Sequence, residues 1–135
     1  MTLREHVGGH TSALLRRLSA QVRHGITHSD EDSVHDLRVS IRRLRECLRA
    51  FKEVFPPAPR KTIRKRLRDL MKAAERVRSV DIALKLMEKA GLEETASELQ
   101  DLRKTRDQYY AVLRGELTSF AKQPYTRTWR EALKI

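Results

Sequence analysis

Between Val34 and Phe51 the sequence reads VHDLRVSIRRLRECLRAF, and two periodic patterns interlock in it. Val34, Leu37, Ile41, Leu44, Leu48 and Phe51 recur at alternating three- and four-residue steps, the apolar seam of a helix packed against partners. His35, Arg38, Arg42, Arg45 and Arg49 repeat those steps one residue later. At ~100° per residue, these basic side chains fall in an arc of roughly 80°, centred about 110° from the apolar stripe. They lie beside the core, whereas a purely solvated face would lie opposite it. Like charges lined up along one edge repel one another unless something anionic lies among them. The pattern therefore predicts a polyanion site on a packed helix.

The charge balance agrees. The chain of 135 residues carries 29 Lys/Arg against 18 Asp/Glu, a formal net charge of +11. From His35 to Arg78 there are 15 Lys/Arg and 5 Asp/Glu, which leaves 14 against 13 for the rest. Basicity is thus local, which argues for a binding surface rather than general solubility. The length suits one domain with a real core, and few Gly and Pro among many Leu, Ala, Arg, Lys and Glu favour an all-α fold. Cys47 is the single cysteine, so no internal disulfide can form and a reducing, cytoplasmic setting is expected; it reads as a filler on the helix flank. No apolar run approaches the roughly 20 residues needed to span a bilayer, so no membrane partner is expected.

Four helices are expected along the chain. The first covers about Leu3 to His24, with Gly25 as its stop, and Gly8-Gly9 weakens its first turns. Ser29 is expected to cap the second, with Asp32 three residues on; Pro56-Pro57-Ala58-Pro59 ends it near Phe55. The third runs from about Arg60 to Ala90 before Gly91, with Ile63, Leu67, Leu70, Ala74, Val77 and Asp81 inside. The fourth runs from about Glu93 to Lys122, with Ala96, Leu99, Tyr109 or Tyr110, Leu113, Leu117 and Phe120 inside, and Pro124 closes it. Short connections favour antiparallel neighbours, hence an up-down four-helix bundle over residues 1–124. Residues 125–135 form a tail, with one amphipathic turn anchored by Trp129 and Leu133.

The third helix carries a second basic arc of Lys61, Arg64, Lys65, Arg68 and Lys72, offset from its apolar stripe by about 130° on the same hand. Two such edges on antiparallel neighbours wall one groove if they converge. Convergence depends on bundle handedness, which the sequence leaves open.

Other signals are weaker. His35 either donates to a phosphate or caps and packs the helix start. The pairs His6/His10 and His24/His28 have helical metal-chelating spacing, but nothing completes either site, so neither metal nor cofactor is expected. The chain has no P-loop, no nucleophile with a partner and no dense carboxylate set for Mg²⁺, so no enzyme is expected. Glu75 and Asp81 are expected to pair with Arg78 or neighbouring helices. Sequence-independent nucleic-acid binding and docking to an acidic protein compete with binding of a bare phosphate chain. Aromatics make up only 5% of the chain and none lies within the basic stripes to stack bases, which favours the phosphate chain.

The motif His35-x-x-Arg38-x-x-x-Arg42-Arg43-x-Arg45, followed by a second basic helix ending in VRSVDIAL, resembles the CHAD (conserved histidine α-helical) domain family. The resemblance implies an all-helical module that holds inorganic polyphosphate, with His35, Arg38, Arg42, Arg45, Arg68, Lys72 and Arg78 inheriting binding roles. Lys61, Arg64, Lys65 and Arg49 extend the candidate site along the same stripes. It also implies association with polyphosphate granules. Glu75 stands where the family usually has Gly near an Arg-Asp-x-Asp run, which here reads Arg78-Ser79-Val80-Asp81. The strong resemblance covers about Val34 to Leu84. One such motif, where family members usually carry two, implies a half-length member, expected to pair as a homodimer that rebuilds the two-half domain, with a minimal monomer of shallower site as the alternative.

Overall fold

A computed structural model describes all residues from Met1 to Ile135. It is all-helical and contains no strand: α1 (Leu3–Thr27), α2 (Glu31–Ala50), α3 (Pro57–Lys89), α4 (Ser97–Lys122) and α5 (Tyr125–Leu133), with a 3₁₀ turn at Lys52–Val54. Each of the four long helices packs on two others in a closed circuit, α1 on α2, α2 on α3, α3 on α4 and α4 on α1, and α5 packs on α1 and α3.

Local chemistry explains most boundaries, and several differ from those the sequence suggests. Gly25 lies buried inside α1 and does not stop it. A Cβ at position 25 would lie 2.9 Å from the Leu117 Cδ1 methyl, so the glycine admits α4 at close range. The carbonyls left open by the helix end are met by Tyr110, whose hydroxyl donates to the Gly25 oxygen at 2.7 Å. Asp30, not Ser29, caps α2: its carboxylate accepts from the Ser33 N–H at 3.2 Å and the Ser33 hydroxyl at 2.7 Å. The Ser33 bond holds the Asp30 carboxyl below its ordinary range. Pro57 opens α3 at its first position, where a missing N–H costs nothing. Gly91, at φ +83°, turns the chain out of α3 in the left-handed conformation that glycine adopts without strain.

The expected seam is buried from Val34 to Leu48, with Leu44 at 0% exposure. Phe51 departs from it, being 37% exposed, because α2 has ended and Phe51 is its C-cap. The six inner positions of α3 are all buried. The charged one, Asp81, is bound by the Arg106 guanidinium of α4 at 2.6 and 3.3 Å, and Arg106 also donates to the Ser29 carbonyl. On α4, Leu99, Leu113, Leu117 and Phe120 are buried, whereas Ala96 precedes the helix and Tyr109 and Tyr110 are half-buried. Within residues 125–135, expected as a tail, Tyr125–Leu133 form α5, whose Tyr125, Trp129 and Leu133 join the central apolar cluster. Phe120, Tyr125 and Trp129 meet edge to face with centroids 5.2–6.0 Å apart, a favoured aromatic geometry.

Candidate polyanion groove

Residues contributed by α2 and α3 to their shared edge meet with numbers rising on one helix as they fall on the other. Arg38 reaches Glu75, and Glu31 reaches Arg78 and Lys85. At the other end Arg64 lies within the field of Arg45 and Arg49. The two basic edges therefore converge, because the apolar stripes of α2 and α3 turn into the core and leave the adjoining arcs side by side.

A surface cavity of about 330 Å³ opens there, lined by Arg42, Arg45, Glu46, Arg49 and Arg64, with no apolar side chain in its wall. Arg42 and Arg49 are exposed, and Arg45 and Arg64 are half-buried. The Arg64 guanidinium has its proton affinity pushed below the ordinary value, first by desolvation and then by repulsion from Arg60, Arg45, Arg49 and Arg68. The Nε groups of Arg45, Arg60 and Arg64 are buried with no protein acceptor. None of Arg42, Arg45, Arg49, Arg60, Arg64 and Arg68 has a carboxylate within 4.0 Å. Crowded guanidinium groups without acceptors form a field that an oxyanion relieves, each fork offering parallel donors to it.

The remaining candidates divide. Lys61, Lys65 and Lys72 are exposed along α3 without ion-pair partners, and His35 is exposed in the first turns of α2. Arg38 is held by Glu75, with Nε and Nη2 at 3.2 and 3.0 Å from one carboxylate oxygen. Arg78 is held by Glu31 at 3.0 Å, and Lys85 shares that oxygen at 2.7 Å. These ties hold the Glu31 carboxyl below its ordinary range, the Lys85 hydrogen bond most of all. Arg43 turns away from the groove and lines a cleft between α1 and α2 with His10, Arg17 and Cys47. Burial pushes the Cys47 thiol up, which makes it less reactive. Arg60 was not among the residues suggested by the motif, although its four-residue spacing to Arg64 and Arg68 would have found it.

His24 and His28 stack ring on ring, 3.9 Å apart, and the His24 Nε2 hydrogen-bonds with the Ser33 hydroxyl at 3.0 Å. No helix is long and apolar enough to cross a membrane.

Fold and site together define a small helical domain whose charge is gathered on one interhelical groove. The chain matches the family model of the CHAD domain over residues 7–134 and belongs to that family. The match thus extends on both sides of the segment that carries the motif. No curated protein and no solved structure shows a significant match to the chain.

Proposed function

We propose that this CHAD domain binds inorganic polyphosphate, without catalysis, in the groove between α2 and α3. The observation that carries the reading is the gathering of Arg42, Arg45, Arg49 and Arg64 around one cavity without ion-pair partners. A flexible chain of closely spaced charges complements such a row, and each phosphate seated there releases counterions. Family membership supports the same ligand. In this reading the four long helices run as an antiparallel up-down bundle, supported by interhelical pairs such as Thr11–Cys47, Arg38–Glu75 and Asp81–Arg106. Two copies associate as a homodimer that joins two grooves, and the protein works in the cytoplasm.

Titration with long-chain polyphosphate at near-physiological salt, with duplex DNA and RNA as competitors, tests the reading. Binding that excess nucleic acid does not displace, and that is lost when Arg42, Arg45 and Arg64 together become Ala with helicity unchanged, is the expected result. Displacement by nucleic acid would make the groove a general polyanion surface and favour sequence-independent nucleic-acid binding. Retained binding by the triple variant would move the site elsewhere. Light scattering tests the dimer, and a monomer at high micromolar concentration would remove it.

A further inference from the structure

The groove is not uniform along its length. Toward the end of α2 and the start of α3, its arginines have no carboxylate partner. Toward the other end, Arg38, Arg78 and Lys85 are all occupied by Glu75 and Glu31. Glu75 follows Arg64, Arg68 and Lys72 at helical spacing on α3, so it lies in line with the basic stripe. The Arg38 side chain is only 16% exposed and the Glu75 side chain 46%. The arginine is the sheltered partner, and the glutamate is the outer one, nearer to water.

We propose that Glu75, with Glu31 behind it, is an internal stand-in for the ligand, a brake that a long polyanion must displace and a short one leaves in place, so that it lowers affinity for long chains alone. The proposal rests on the polyphosphate reading of the groove. A carboxylate accepts from a guanidinium fork as a phosphate does, so Glu75 holds Arg38 in a ligand-ready position while withholding it from a weak competitor. A short chain seats on the open arginines alone and leaves both glutamates in place. A long chain reaches past them, and its next phosphates exchange with the Glu75 carboxylate on Arg38 and then with Glu31 on Arg78. Each exchange moves a carboxylate into water and adds one cationic contact. Carboxylates placed along the binding track thus lower affinity for long chains and leave short chains untouched, with no change of fold.

The test compares tripolyphosphate with long-chain polyphosphate on the full chain, each titrated over a series of salt concentrations. Glu75→Gln removes the stand-in's charge and keeps its shape, and Glu31→Gln does the same one step further along. Glu93→Gln, an equal change in net charge at an exposed position outside the stripe, is the control. Glu75→Gln is expected to tighten long-chain binding roughly three- to tenfold, because the same contact to Arg38 then forms with no carboxylate to displace. Tripolyphosphate affinity should stay within about twofold, and Glu93→Gln should change neither. Glu31→Gln should act in the same direction on long chains, which keeps the test open if Glu75→Gln melts early. Equal tightening for both lengths, or the same gain in Glu93→Gln, would reduce the effect to net charge and overturn the proposal. No gain in either groove variant, with the unaltered chain binding normally, would overturn it alone. Failure of the unaltered chain to bind either length would overturn the polyphosphate reading and this proposal with it.

Discussion

Replacing Arg64 by Met removes the charge at the centre of the groove while keeping an unbranched stem to cover the same apolar surface. Four cations, Arg60, Arg45, Arg49 and Arg68, repel Arg64, and it has no ion pair to offset them. At roughly 0.2–0.5 kcal/mol for each like-charged neighbour, relief of four repulsions stabilises the fold by about 1–2 kcal/mol. For a domain of this size that raises Tm by roughly 5 °C. Binding should move the other way. Loss of one charge-assisted contact weakens long-chain polyphosphate binding by about tenfold or more and flattens the salt slope by about 0.7. Thermal melts at low salt and at 1 M salt, paired with titrations, read both effects. The Tm gain should shrink at 1 M salt, where the screening length is only about 3 Å. A Tm that falls at low salt, or a gain that salt does not touch, would refute the view that the arginines are held together against their own repulsion.

Leu44→Asp should unfold the domain, because Leu44 is fully buried. Loss of its packing alone costs about 2–5 kcal/mol, the buried carboxylate adds to it, and a normal melting curve would remove the seam assignment. Asp81→Asn leaves the sheltered Arg106 uncompensated and should cost about 3 kcal/mol in chemical denaturation; adding Arg106→Met should recover part of the loss. Because Lys85 and Arg78 hold the Glu31 carboxyl below its ordinary range, the stability it contributes is full above the ordinary glutamate range. That contribution is lost as pH falls through the folded-state value, so Glu31→Gln should flatten the acid limb of the Tm–pH profile, and an unchanged limb would count against the ion pair.

How much of this was legible in the sequence differs by element. The seam of α2 and the inner stripe of α3 are one-dimensional patterns, and they predict burial well because a helix turns by a constant angle per residue. The errors fall where a residue has two uses. Gly25 has the signature of a helix stop, but in three dimensions it is the point where Leu117 approaches, and closeness to α4 has no trace in the local sequence. Phe51 keeps the heptad step, yet the helix unwinds before it. Trp129 and Leu133 declare an amphipathic segment, but only the packing of α5 against α1 and α3 shows what they cover.

The candidate site divides the same way. Each basic arc is a property of one helix, so its existence and its offset from the core follow from sequence by itself, as do the local excess of charge and the motif from His35 to Arg45. Whether the two arcs face each other, and which arginines stay unpaired, depends on how α2 and α3 lie against one another. Only the tertiary structure brings Arg64 beside Arg45 and Arg49, and only it commits Arg38 to Glu75 and Arg78 to Glu31. Those pairs join residues 37 and 47 positions apart. Coulomb energies follow distance in space, and spacing along the chain says nothing of that distance once two helices are involved.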